Sequence, residues 1–134
     1  MGSKIIRIFS HIPPYQPTAV VLIAILYLTL LPKPLGEEDI QLFEGADKVV
    51  HIIMFGGLTG TAIFDRFRMS RPLTLSGALL VALASAFIGA IVEYLQYAMH
   101  IGRTGNDIYD VVANTLGAFA AVPVCSMLKW IKKS

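Results

Sequence analysis

The chain has 134 residues, 55% of them hydrophobic and 15% charged, with a formal net charge of +2. So few charges, set between long apolar runs, exclude an ordinary soluble domain. The single cysteine, Cys125, excludes an intramolecular disulfide and a cysteine-based metal site, and in an apolar run it reads as a small hydrophobe.

In chain order, Met1 to His11 is a basic, partly apolar lead-in suited to the inner surface of a membrane. Pro13, Pro14 and Pro17 delay regular helix, since proline is accepted only in the first turn. Thr18 to Leu31 is uniformly apolar and carries no chemistry, and Pro32 and Pro34 stop it. No small-residue cleavage site follows Leu31, so this run is expected to be an uncleaved anchor. Pro34 to Asp47 is an acidic loop. The next run opens with Asp47 and His51, spaced i and i+4 and therefore on one helical face, with Lys48 between them. Gly56, Gly57 and Gly60 follow in a small-residue pattern that admits a neighbouring helix. Asp65 to Pro72 reads as a short basic hairpin, and Leu73 to Met99 as the longest apolar run, with Glu93 and Gln96 near its end. Tyr94, Tyr97 and Tyr109 read as interfacial aromatics. His100 to Asn106 is a second polar loop, with Asn106 placed to cap the last helix.

Spanning a bilayer core takes about 20 residues. The pattern therefore predicts one all-α, polytopic membrane domain over residues 1–134, with four transmembrane helices at approximately 14–31, 47–65, 73–99 and 107–130. With a cytoplasmic N-terminus, the inside segments hold Lys4, Arg7, Arg66, Arg68, Arg71, Lys129, Lys132 and Lys133, and the outside segments only Lys33, Lys48 and Arg103. That bias satisfies the positive-inside rule and puts both termini in the cytoplasm. Anionic lipid accounts for the inner basic residues, and nothing points to nucleic acid.

Residues Gly102 to Gly117 read GRTGNDIYDVVANTLG. Asp107, Asp110, Asn114 and Gly117 share one helical face, so two carboxylates and an amide enter an apolar helix in file. The topology, drawn from loop charges alone, collects Asp47, Lys48, His51, Glu93, Gln96, Arg103, Asp107, Asp110 and Asn114 at the outer face and leaves the inner half nearly free of ionisable groups. A charge at mid-membrane costs roughly 2.5–3.5 kcal/mol on insertion scales, so such a cluster implies a water-accessible pocket.

Asp47-Lys48-x-x-His51, Glu93-x-x-Gln96 and Gly102-Arg103 leading into Asp110-x-x-x-Asn114-x-x-Gly117 resemble, in order and spacing, the VanZ-like family, small bacterial membrane proteins named for a teicoplanin-resistance member. The resemblance covers the second to fourth runs, with Asp107 at a looser position than Asp110. It implies a multi-pass protein of the bacterial cytoplasmic membrane with a role at the cell envelope and, for some members, reduced sensitivity to glycopeptide antibiotics. It implies no mechanism and no cofactor.

Four readings of the outer cluster follow. Polar residues can bond helices together, as Gln96 and Asn114 suit and the surplus of carboxylates does not. A second reading is a site for an anionic or amphiphilic envelope molecule, with Lys48 and Arg103 taking a phosphate or carboxylate and Glu93, Asp107 and Asp110 orienting them. By family analogy, that molecule would be a lipid-linked cell-wall precursor or the lipid-bearing teicoplanin, alongside the membrane lipids. A third is an interfacial enzyme with His51, Glu93 and Asp110 as candidate catalytic groups: Asp47 would orient His51 as a base, and the carboxylates could hold Mg²⁺ or Mn²⁺, although their spacing alone is no metal signature. No serine or cysteine falls beside His51, which disfavours covalent catalysis. A transporter or channel subunit is the fourth, and it would need an oligomer.

Overall fold

The computed structural model describes residues 11–30, 46–98 and 107–132, with side chains described from Val49 in the second helix and Ile108 in the fourth. Among these residues the chain is all-α: α1 (Gln16–Leu30), α2 (Ala46–Arg68), α3 (Leu75–Ala98) and α4 (Asp107–Met127). The expected caps at Asn106 and the loops at 31–45 and 99–106 lie outside the described residues.

Local chemistry sets the helix ends. Pro17 occupies the first turn of α1, where its missing N–H removes no helical bond. Thr74 caps α3, its Oγ1 accepting the Gly77 N–H at 3.2 Å. At the end of α2, Ser70 N–H donates to Phe67 O and Arg71 N–H to Arg66 O; at the end of α4, Lys129 N–H donates to Ser126 O and Trp130 N–H to Cys125 O. Both are Schellman closures, with Ser70 (φ 62°) and Lys129 (φ 61°) in the left-handed position that glycine ordinarily takes. The expected last span to 130 thus ends as helix at Met127, and the remaining residues form its closing turn. Pro123 lies inside α4, where it cannot donate a helical hydrogen bond.

The helices alternate in direction. Thr18, in the first turn of α1, meets Asp65 near the end of α2, whereas Thr29, at the far end of α1, meets Gln96 near the end of α3. Lys132 N–H donates to Leu73 O at 2.7 Å, so the last described residues return to the start of α3. The first and last described segments therefore lie at the same end of the bundle.

Polarity is inverted relative to a soluble bundle. Ile23, Ile53, Leu80, Phe87 and Leu116 point outward and are mostly exposed, while Glu93, Asp110, Asn114, Asp65 and Arg68 are buried. Helices α3 and Ile108–Met127 of α4 are long and apolar enough to cross a membrane. With 15 residues, α1 is about 22 Å long, less than the roughly 30 Å hydrocarbon core.

Helices α2 and α4 form the most extensive helix pair, and glycine makes their approach possible. A Cβ on Gly117 would lie 2.2 Å from Ile52 O, and one on Gly56 would lie 3.1 Å from Gly117 O. A Cβ on Gly57 or Gly60 would meet no neighbouring element within 4 Å among the described residues, so there only Gly56 of the small-residue pattern serves the helix contact. Two apolar clusters fill the interior: Ile25, Phe55, Leu58 and Ala118 in one, and Ile63, Ala78, Ala82, Val122 and Cys125 in the other. Trp130 closes the second, its ring 4.9 Å from that of Phe64.

One segment departs from expectation. Asp65 and Arg68, assigned above to a short basic hairpin, are within α2 and are 0% and 2% exposed. Arg68 Nε donates to Asp65 Oδ1 at 2.7 Å, and its other nitrogens donate to Ile12 O and Pro13 O. Asp65 Oδ2 accepts the Thr18 N–H at 3.1 Å and also the Thr18 hydroxyl. The carboxylate thereby caps α1 from another helix, satisfying a first-turn N–H and complementing the positive end of the helix dipole. This end of the bundle is therefore not free of ionisable groups, and the buried pair ties residues 12–18 to α2.

Candidate functional site

At the opposite end, about 21 Å along α2 from Asp65 at 1.5 Å per residue, three helices each present polar side chains to the interior. Helix α2 contributes His51, α3 contributes Glu93, and α4 contributes Asp110 and Asn114. The i, i+4 spacing of Asp110 and Asn114 puts both on the face that also carries Gly117, and all three are buried. That face packs on α2 because Gly117 lacks a side chain. Gly89 performs the same service for α3, where a Cβ would lie 2.9 Å from Asn114 Cβ.

Asn114 is 0% exposed and sits at the centre of the cluster. Its Nδ2 donates to Gly89 O and to Glu93 Oε1, each at 3.5 Å. A backbone carbonyl and an ionised carboxylate only accept, so the amide NH₂ faces them and Oδ1 faces His51. The Oδ1 to His51 Nδ1 distance is 2.7 Å, and because Oδ1 also only accepts, Nδ1 carries the proton. His51 Nε2 is left directed at Asp110 Oδ2, 4.0 Å away, while His51 Nδ1 is 3.6 Å from Glu93 Oε1. One ligand atom each from His51, Glu93 and Asp110 falls within 4.8 Å of the other two.

The cluster has an outlet. Glu93 also lines a groove of about 400 Å³ between α3 and α4, whose other walls are Ala90, Tyr94, Tyr97, Ile108 and Val111. Ala90 and Val111 are shared with a second groove of about 590 Å³, which runs on past Phe87, Leu83 and Phe119. Glu93 thus borders the first of two adjoining apolar grooves on the outside of the bundle. Tyr94, Tyr97 and Tyr109 are exposed beside this outlet.

Of the nine residues that the sequence assigned to the cluster, the structure brings His51, Glu93, Asp110 and Asn114 together. Gln96 bonds elsewhere: its Nε2 donates to Thr29 O at 2.7 Å, satisfying a last-turn carbonyl of α1. The side chains of Asp47, Lys48, Arg103 and Asp107 lie outside the described residues. Ser85 is buried on α3 about 12 Å below Glu93 by helical rise, and Cys125 is in the apolar cluster at the other end. Sequence reasoning missed Gly89, whose role depends on which side chain faces it across the helix pair.

The model of the VanZ/LLP1 family matches residues 9–129, an interval that contains all four helices. No curated protein and no solved structure matches the chain.

Proposed function

Because the chain belongs to the VanZ/LLP1 family, we propose that it is a four-span protein of the bacterial cytoplasmic membrane whose buried polar cluster holds the head of an anionic or lipid-linked envelope molecule. Both termini face the cytoplasm in this reading, and the His51–Glu93–Asp110–Asn114 cluster faces outward. The outward-pointing apolar side chains and the two helices of spanning length support the membrane placement. The basic residues Arg66, Arg71, Lys129 and Lys132, near the Asp65–Arg68 end, support the orientation. A lipid-linked cell-wall precursor or a lipoglycopeptide of the teicoplanin type has the required amphiphilic form, and its capture would contribute to glycopeptide resistance.

One observation carries this reading: Glu93 belongs both to the polar cluster and to the wall of the apolar groove between α3 and α4. A polar end in the cluster and a chain along Ala90, Val111 and Phe87 would satisfy both environments at once. Lys48 and Arg103 belong to the same reading as the groups that take a phosphate or carboxylate. Native mass spectrometry of the detergent-purified protein, beside Ala90→Phe and Arg103→Ala, tests it. A lipid adduct on the wild type that either variant loses, at unchanged melting temperature, is the expected result. No adduct on any sample, with the variants merely less stable, would reduce the cluster to a polar helix interface.

A second reading, an interfacial enzyme, is favoured by the orientation of His51 by Asn114, the arrangement a general base requires. It differs in outcome: His51→Ala would then retain the adduct and accumulate it unconverted.

A further inference from the structure

The geometry points to His51 Nε2, Glu93 and Asp110 as the protein ligands of a divalent transition-metal ion of the Zn²⁺ or Mn²⁺ class, held at the junction of α2, α3 and α4. The donors come from three different helices and converge: one ligand atom from each residue lies within 4.8 Å of the other two, and His51 Nε2 is 4.0 Å from Asp110 Oδ2. Metal–ligand bonds of roughly 2.0–2.2 Å set donor pairs about 3.3–3.6 Å apart at tetrahedral angles, so the three side chains would close in by up to about 1 Å on binding an ion.

The contact between His51 Nδ1 and Asn114 is the second observation. A metal-binding imidazole ordinarily donates its other N–H to a carbonyl or carboxylate that fixes the ring. Here Asn114 Oδ1 accepts from Nδ1 at 2.7 Å, and Asn114 is itself locked by Gly89 O and Glu93 Oε1. In the neutral ring Nε2 is then an acceptor, and it faces the Asp110 carboxylate at 4.0 Å. A divalent cation joins them where a second ring proton otherwise would, and the third donor, Glu93, is what a metal uses and a proton does not. The mixed donor set of one imidazole nitrogen and two carboxylate oxygens suits Zn²⁺, Mn²⁺ or Fe²⁺ better than Ca²⁺, which takes six to eight oxygens. Three protein ligands would leave a coordination position open, and one of them, Glu93, also lines the groove. The ion would bind a phosphate or carboxylate oxygen there; this last step rests on the amphiphile reading above, whereas metal binding itself does not.

The test uses the whole chain, purified in detergent and stripped with EDTA. Zn²⁺ is titrated calorimetrically, Co²⁺ serves as an absorbing substitute, and native mass spectra are taken of the same samples. One ion per chain is expected, with visible Co²⁺ bands of a nitrogen–oxygen site and a melting temperature that Zn²⁺ raises and EDTA lowers. His51→Ala and Asp110→Asn are expected to weaken binding at least about 100-fold, and Asn114→Ala, which only positions the ring, about 10- to 100-fold. Wild-type protein that takes no ion saturably, or ligand variants that bind as the wild type does, would overturn the proposal. If the variants do not fold, the wild type alone decides, through the Co²⁺ bands and the reversible melting shift. A lipid adduct retained after EDTA by protein that binds no ion would sink the metal site and keep the amphiphile reading. An ion bound with no lipid adduct would do the reverse.

Discussion

Gly117 is where a single methyl group should have its largest effect. Replacing it with alanine places a Cβ 2.2 Å from Ile52 O, 2.7 Å from Ile52 Cα and 2.8 Å from Ile52 C. All three obstacles are backbone, so no side-chain rotation relieves them. Restoring ordinary contact near 3.5 Å requires α2 and α4 to part by roughly 1 Å. Overpacking of this kind costs about 1–3 kcal/mol. The displacement also acts on His51, adjacent to Ile52, and on Asn114, one turn before Gly117. Their 2.7 Å contact would open beyond hydrogen-bond length, at a further cost of about 1 kcal/mol. The better helix propensity of alanine returns up to about 1 kcal/mol, leaving a net loss of roughly 1–3 kcal/mol. Gly57→Ala is the matched control: among the described residues no neighbouring element lies within 4 Å of its Cβ position, so only the propensity gain remains. Thermal unfolding followed by circular dichroism in one detergent measures both. The account predicts opposite signs, Gly117→Ala melting lower and Gly57→Ala melting level with or above the wild type. Equal melting of the two variants would refute the close α2–α4 approach as described.

Three further outcomes follow from buried or strained groups. Asp65→Asn or Arg68→Met, each leaving its partner buried, should cost about 3–5 kcal/mol, whereas Thr18→Val, which removes one hydroxyl from the same carboxylate, should cost about 1 kcal/mol. Chemical denaturation ranks the three, and Thr18→Val as damaging as Asp65→Asn would contradict the assigned roles. The Thr59 hydroxyl is fully buried and finds no hydrogen-bond partner among the described residues, so Thr59→Val should be neutral or stabilising by about 1 kcal/mol in the same assay. Lys129, at φ 61°, should gain up to about 1 kcal/mol on replacement by glycine, and a loss of stability would argue against the left-handed closure of α4.

Apolar run length, proline placement and the i, i+4 spacing of polar residues depend only on the covalent chain, and these made the all-α architecture and the polar face of α4 legible in advance. The face carrying Asp110, Asn114 and Gly117 follows from the helical period, and the pairing of small residues with close helix approach follows from side-chain size. Which glycine is used does not follow. Gly56 and Gly57 are neighbours in sequence, yet only Gly56 lies under α4, because a 100° step around the helix moves a residue off the interface. Charge counting placed Asp65 and Arg68 in a short basic hairpin, since four ionisable groups between two apolar runs read as a connection. Their burial depends on the start of α1, some fifty residues earlier, arriving with N–H and C=O groups that need partners. Gln96 shows the same limit. Its spacing from Glu93 put both in one site, but the free carbonyl at Thr29 draws it to α1. The composition of the polar cluster was thus written along the chain, while the division of its members between a candidate site and the capping of a neighbouring helix was decided by tertiary contacts, because an unsatisfied backbone group in an apolar bundle takes whichever donor the packing brings within reach.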